Sequence, residues 1–327
     1  MTTAAPYGPT LTRFQQELVL SVCPRGARIV AARSSKERRA ELAPIRVRLE
    51  LTGGAQHTVY LRLDRTPHGV EREARLLPLL RRLELPVAEV LVGPVVDPEM
   101  PDLGAMAVYS VLPGKNLLEW SWSTSLTSQP EATHALADQL LDGIERLRAL
   151  GPAVASDRVG AALPRGSLTW EIDYALKDAS LTFPDDPWQG QPHLRETMNL
   201  LRPLLERAEH ETPPCSFWNG DFNPANFLSD GTKLTGIVDF AWASWHDPHY
   251  GLARFTIYDW VRFDRPRLFQ RYREHHALSA RDFALRSAVH AFTTLLGGPH
   301  APVTPEQRLV IQAQLDAHLN LIHGGPP

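Results

Sequence analysis

Residues 217–240 read FWNGDFNPANFLSDGTKLTGIVDF, and three of them could do chemistry together. Asp221 is followed five residues later by Asn226, and Asp239 stands thirteen beyond that, closing an apolar run. A carboxylate at 221 can accept the proton of an attacking hydroxyl. The amide oxygen of Asn226 and the carboxylate of Asp239 can hold Mg2+ against nucleotide phosphates. Phosphoryl transfer needs this set, because the protein's contribution is mainly positioning and charge. Chance placement of three common polar residues is the competing account. Gly220 before Asp221 and the apolar stretch before Asp239 weigh against it.

Such a set needs elements to position it. Asp221 and Asn226 share one irregular loop, and the Ser229-Asp230-Gly231 turn folds the 227–240 segment back over it as a short β hairpin. Upstream, Ala27–Arg33 is a short apolar run. Pro44–Leu51 alternates Ile45, Val47, Leu49 and Leu51 with polar residues, and His57–Leu63 alternates Val59, Leu61 and Leu63. Around Gly53-Gly54 the two predict an antiparallel hairpin. Val70–Leu83 has helical spacing, with Pro78 expected to kink or divide it. Val90–Val96 and Ala105–Leu112 predict two more strands. Pro113-Gly114 ends this pattern. Helices are then expected over Glu131–Leu150, His193–His210 (with Pro203 kinking or dividing it), Ala280–Leu296 and Pro305–Ile322, the last capped by Thr304.

The fold expected is α+β, with a small antiparallel sheet lobe at 1–110 and a larger, mainly helical lobe at 111–327. Hydrophobic residues make up 43% of the 327, enough for a sizeable core. A formal charge of −3 argues against a general nucleic-acid binder. The first ten residues lack a basic start followed by an apolar run, and no stretch approaches the 18 or more apolar residues of a membrane helix. A soluble, cytoplasmic protein without membrane partners is therefore expected. The two cysteines, Cys23 and Cys215, read as free thiols.

The 217–253 segment resembles the catalytic region of the aminoglycoside-phosphotransferase family, relatives of choline, homoserine and protein kinases. That family carries H-G-D-x-x-x-x-N and then a hairpin ending I-D-F or I-D-W. The similarity is specific over 217–253 and weak over most of the chain. It implies a bilobal protein-kinase-like fold with ATP and Mg2+ as cofactors. Asp221 would be the catalytic base, with Asn226 and Asp239 as metal ligands. A small-molecule hydroxyl compound, an aminoglycoside or amino alcohol among the options, would be the acceptor. The family's third-strand cation would be Arg62 in HTVYLRL, reaching the α/β-phosphates. Its partner would be Glu73 rather than Glu71 in VEREARLL, since Leu76, Leu77 and Leu80 put Glu73 near the core-facing edge. The run VYSVLPG resembles the hinge that holds adenine through the Ser110 carbonyl and the Leu112 amide. The run WASWHDPHYGLARFTIYDW is loosely similar to the hygromycin-type branch.

Three positions depart from the family pattern. Asn219 stands where the family has His, and Gly251 where an Asp usually braces the catalytic loop. SSKERRAELA at 34–43 has no glycine to cover phosphates. These departures open a second reading, a weak or inactive pseudokinase serving as a nucleotide- or metabolite-binding module. His246, His249, His275 and His276 match no standard metal spacing and read as surface histidines, with His275 and His276 pointing apart on a helix. Ser216 lacks a nucleophile elbow. Gly297-Gly298 reads as a helix end. Trp218, Trp242, Trp245 and Trp260, with Asp173, Asp178, Asp185, Asp186, Asp247 and Asp259, would suit a cationic acceptor; a tryptophan-rich core with surface acids is the favoured account of them.

Overall fold

The computed structural model describes residues 11–34, 44–64, 69–123, 130–188, 191–211, 216–257, 265–297 and 304–325. In it the alternating runs become strands: β1 (Arg28–Ser34), β2 (Ile45–Glu50), β3 (Gln56–Asp64), β4 (Val90–Val96) and β5 (Ala105–Ser110). They form one antiparallel sheet in the order β1-β2-β3-β5-β4. The β2–β3 turn places Gly53 at φ +97° and Gly54 at φ +84°. A side chain is strained in that left-handed region, so both positions call for glycine.

Period-two alternation gives the sheet two different faces. Ile45, Val47, Leu49, Val59, Leu61, Leu63, Met106 and Val108 share one apolar cluster with Leu11 and Val19. The cover on that side is the helix Arg13–Ser21, begun by a capping box between Thr12 and Gln15. Only nine residues long, it has little room to express a helical period. The other face carries Tyr60, Arg62, Ala107 and Tyr109, and packs on the helix Gly69–Arg82.

That helix runs through Pro78 unbroken, and the helix Pro192–Glu211 likewise runs through Pro203. Both prolines are exposed, between buried Leu76, Leu77, Leu79 and Leu80 in one case and Leu201 and Leu205 in the other. Losing a hydrogen bond to proline costs about 3 kcal/mol. Each buried leucine returns about 1.5–3 kcal/mol, so packing outweighs the break.

After Ser110 the fold is mainly helical. Leu136, Leu140, Ile144 and Leu147 of the helix Pro130–Ala149 are all buried, as their spacing predicts. The helix Ala280–Leu295 is the central post, packed against Leu168–Thr182, Pro192–Glu211 and Pro305–Ile322. The last begins with Thr304 in a capping box and Pro305 in its first turn. Gly297, at φ +83°, follows the central helix as its end. Two small sheets carry the remaining strands. β6 (Lys115–Asn116), β8 (Phe227–Ser229) and β9 (Leu234–Ile237) make one, and β7 (Ser216–Trp218) with β10 (Ser244–His246) makes the other. Among the described residues no helix is long and apolar enough to cross a membrane.

The helical part holds a buried ion pair. Arg286 donates from Nε and Nη2 to the two Asp247 oxygens, each at 2.8 Å, with both side chains at 3% exposure or less. Asp247 Oδ1 also accepts from the His249 amide. Arg286→Met should destabilise by about 3–5 kcal/mol, since it strands a carboxylate in the interior. Urea unfolding checks this. A loss below about 1 kcal/mol, the range of exposed pairs, would mean the pair is hydrated.

The histidines need a correction. His246 is 2% exposed, stacked on Tyr250 and beside Trp218, because β10 faces the interior. His249 is half-buried, with Nδ1 3.1 Å from Tyr272 Oη. His275 is exposed, yet its ring lies 4.7 Å from that of His276, which pairs with Glu145 at 2.7 Å. Burial lowers the His249 pKa to about 4, outweighing Asp247, with Arg286 and Arg148 adding to the fall. Burial alone takes His318 down to about 4. Unfolded, both would protonate near 6.5. Between these values the unfolded chain binds more protons. Stability should therefore be complete above pH 6.5 and fall on acidification toward pH 4, by at most about 1.4 kcal/mol per pH unit per histidine. Melting curves across this range should show the slope, shallower in His318→Gln; equal slopes for wild type and variant would rule His318 out as a cause.

Candidate functional site

The two small sheets frame the site. β7 delivers the chain to Asn219, Gly220 and Asp221, and β9 delivers it to Val238 and Asp239. Asn219 is fully buried. Its Nδ2 donates to the Val238 carbonyl at 3.2 Å, and its Oδ1 accepts from the Asp221 amide at 3.2 Å. An amide both donates and accepts, so one side chain ties the two segments together. Gly220 sits at φ +103°, where a Cβ would stand 2.5 Å from the Trp242 Cβ. Glycine therefore lets the backbones of the two segments touch.

The loop after Asp221 is wound by its own polar groups. Asp221 Oδ1 accepts from the Asn223 amide, and Asn223 Oδ1 caps the 3-10 turn Pro224–Asn226 by accepting from the Ala225 amide. Asn226 Nδ2 donates to the Asp221 carbonyl at 2.9 Å, and the Val238 amide donates to the Asn226 carbonyl at 2.9 Å. With its nitrogen engaged, the Asn226 side chain has its oxygen left to present.

Asp239 adopts φ +64°, a left-handed conformation uncommon for a residue with a side chain. Such strain is held only where neighbours over-determine it. Here Glu73 Oε1 accepts from the Phe240 amide at 2.9 Å, and Arg72 Nη1 donates to the Ala241 carbonyl at 3.0 Å. The helix Gly69–Arg82 thus grips the residues just after Asp239. The Asp230-Gly231 turn is secured by Asp230 Oδ1, which accepts from Thr232 and Lys233; these bonds lower its pKa to about 2.

Arg62 bridges Glu73 and Asp239. Its Nη1 lies 3.0 Å from the Glu73 carboxylate and its Nη2 2.5 Å from Asp239 Oδ1. Alternation along β3 turns Arg62 away from the Val59, Leu61 and Leu63 face, toward the helix and the 239 segment. Burial by itself would lower the Arg62 pKa, but Glu73 and Asp239 outweigh it and hold it above the usual range. Burial raises Glu73, with Arg62 and the Phe240 amide opposing. Glu71, the other option, pairs with Arg75 near the surface.

The 110–114 crossing is pinned beside β4 at Ser110 and to β9 at Leu112 and Pro113. The Ser110 amide donates to the Glu89 carbonyl and its hydroxyl accepts from the Glu89 amide, each at 2.9 Å. Leu112 packs so closely on Gly236 that a Cβ there would meet its Cδ1 at 2.8 Å. Thr235 Oγ1 donates to the Pro113 carbonyl.

Not every candidate joins. Trp218 and Trp245 are core residues at 5% exposure, whereas Trp242 is 48% exposed just past Asp239. Asp173 pairs with Arg202 and Asp247 with Arg286. Asp185 and Asp186 line a shallow hollow with Thr182, Phe183 and Pro184. Cys215, Asp259, Trp260, Gly298 and residues 35–43, which hold most of the charged loop, lie outside the described residues. Cys23 is a free thiol. Three residues that no motif signals do join: Arg72, Arg254, whose Nη1 donates to the Gly220 carbonyl, and Tyr109, whose phenol is pushed above its usual range by burial and by Glu73. Arg72 is one of several arginines in its helix, so spacing does not single it out.

The chain matches the model of a family described as phosphotransferase enzymes over residues 45–288. No curated protein matched. Among solved structures, it resembles a thermostable mutant of aminoglycoside phosphotransferase APH(4)-Ia in ternary complex with AMP-PNP and hygromycin B. That match has a TM-score of 0.64 at 16% identity, covering 95% of this chain and 99% of that one. It also resembles wild-type aminoglycoside 2'-phosphotransferase-IIIa in its GDP complex, with a TM-score of 0.58 at 21% identity, covering 92% and 96%. A GDP and kanamycin complex of APH(2")-IIia aligns with a TM-score of 0.54 at 20% identity, covering 94% and 96%. The bilobal kinase-like fold is common to all of them, and the chain belongs to the phosphotransferase enzyme family.

Proposed function

We propose that this chain is an ATP- and Mg2+-dependent phosphotransferase that moves the γ-phosphoryl group to a hydroxyl of a small molecule. The observation that carries the reading is the Arg62 bridge between Glu73 and Asp239, joined through Val238 to Asn226 and Asp221. It links by hydrogen bonds a cation suited to phosphates, two candidate oxygen ligands and a candidate base. Residues 1–110 would form the nucleotide lobe and 111–327 the catalytic and substrate lobe, with adenine held at Ser110 and Leu112.

The donor set suits Mg2+, a hard cation that takes oxygen ligands. Asn226 offers an amide oxygen whose nitrogen is engaged elsewhere, and Asp239 a carboxylate held by Arg62 on one oxygen. When bound, the ion neutralises charge on the β- and γ-phosphates. Asp221 orients the acceptor hydroxyl and takes its proton as the oxygen attacks phosphorus. Arg62, fixed by Glu73 and Asp239, offers its remaining N–H groups to the α/β-phosphates. ADP leaves as the other product.

Asn219 supports an active enzyme over the pseudokinase reading, because it makes hydrogen bonds to both catalytic segments. The acceptor class is drawn from the relatives, whose complexes contain hygromycin B and kanamycin. The test is Mg2+-dependent ADP release from ATP, with those two compounds, choline, homoserine and sugars as acceptors. Release stimulated by one acceptor supports the reading. Thermal stabilisation by Mg·ATP without release under any acceptor would shift it to a nucleotide-binding module.

A further inference from the structure

Gly251 stands where the family's bracing aspartate would be. The space that a side chain would take there is already filled. A Cβ on Gly251 would meet Phe222 Cδ2 at 2.5 Å, Phe222 Cε2 at 2.7 Å and Trp218 Cε3 at 3.0 Å. Phe222 and Trp218 are both buried and meet edge to face, with ring centroids 5.7 Å apart. An aspartate at 251 would have to displace an aromatic core, so the brace has to come from elsewhere.

One turn further on, Arg254 reaches the loop that the aspartate would have held. Its Nη1 donates to the Gly220 carbonyl at 3.0 Å and lies 3.8 Å from Asp221 Oδ1. Its guanidinium carbon sits 5.9 Å from the centroid of the Trp218 ring, so the same tryptophan that closes the 251 space flanks the arginine. The Arg254 side chain is 17% exposed and that of Asp221 38%, so the bond to the Gly220 carbonyl is the better shielded of the two contacts. A neutral loop carbonyl and a carboxylate both accept from a guanidinium, whereas an aspartate could only accept from loop amides. Here the Asp221 amide already donates to Asn219. The Gly220 carbonyl and the Asp221 carboxylate, which also takes the Asn223 amide, are both acceptors, and a cation is the matching partner.

We propose that Arg254 is a positioning residue for phosphoryl transfer: it holds the Gly220 carbonyl and aims the Asp221 carboxylate, taking over from position 251 with a group of opposite charge. The inference rests on the kinase reading for its effect on turnover, but not for its effect on the loop. Arg254 acts through Asp221 and is not assigned a contact with the nucleotide, so it should govern kcat and leave the handling of Mg·ATP alone.

The test compares Arg254→Met and Arg254→Lys with wild type. Turnover is followed as Mg2+-dependent ADP release, with hygromycin B as acceptor and with water alone. Amide hydrogen exchange is followed at Asp221 and Asn223 in the absence of any substrate. Arg254→Met should lower kcat by about 10²-fold, the cost of misplacing a catalytic group by roughly 1 Å, with KM for ATP within about twofold. Exchange at Asp221 and Asn223 should be faster. Arg254→Lys, which keeps the charge and can still reach a carbonyl, should recover much of both. If Arg254→Met loses its melting transition, Arg254→Lys carries the comparison. Unchanged kcat together with unchanged exchange would overturn the proposal, as would a fall confined to ATP affinity. If wild type releases no ADP with these probes or with any of the other acceptors named above, the kinase reading fails on its own. Exchange at the loop then still decides whether Arg254 holds it.

Discussion

Asp221→Asn should lower turnover by on the order of 10³-fold while the protein still binds Mg·ATP. Positioned bases contribute about 10²–10⁴-fold, and the amide removes proton acceptance without removing shape. The contacts around Asp221 favour a clean experiment. Its Oδ1 accepts from the Asn223 amide, its own amide donates to Asn219, and its carbonyl accepts from Asn226. An asparagine can keep all three bonds, so the loop should stay wound and the melting temperature should hold. Turnover under saturating ATP, with nucleotide affinity from titration calorimetry, separates the two effects. Near-wild-type turnover in this variant would remove Asp221 as the base.

Asp239→Asn should abolish Mg2+-dependent transfer to a comparable degree. Under the proposed ligation, losing the carboxylate should weaken metal capture, and metal stabilisation of phosphates is worth several kcal/mol, or on the order of 10³-fold. Asparagine is the appropriate change because residue 239 sits at φ +64°, which asparagine tolerates better than most residues. Alanine there would mix backbone strain with lost ligation. Arg62 would keep Glu73 as its partner, so the sheet-to-helix link should survive. The signature sought is a steeply raised Mg2+ requirement at unchanged stability. A variant that works normally at low Mg2+ would refute ligation by Asp239.

Much of this could be read from sequence because it is written in local pattern. Period-two alternation located β2 and β3, and the same alternation turned Arg62 to the opposite face from Val59 and Leu61. Helical spacing located the helices at 130–149, 280–295 and 305–322. The D…N…D spacing picked out Asp221, Asn226 and Asp239 because a loop and a hairpin return are short-range features.

What was not legible depends on contacts far apart in the chain. Pro78 and Pro203 predict breaks locally, yet leucines buried on both sides keep each helix whole. His246 has the polarity of a surface residue, and only the β7–β10 pairing makes it core. The choice of Glu73 over Glu71 became an ion pair with Arg62 only when the helix packed on the sheet.

The sequence by itself determined the strand and helix pattern, the polar set at 221, 226 and 239, and the absence of an aspartate at 251. Residue type and short spacing are properties of the chain, and they survive without a fold. Only the tertiary structure decided that Asn219 joins the 221 loop to the 238–239 segment, that aromatic rings fill the space beside Gly251, and that Arg62 and Arg254 converge from distant parts of the chain on Asp239 and Asp221. Those are matters of distance between residues remote in sequence, set by how the sheet, the helix Gly69–Arg82 and the central helical core pack together.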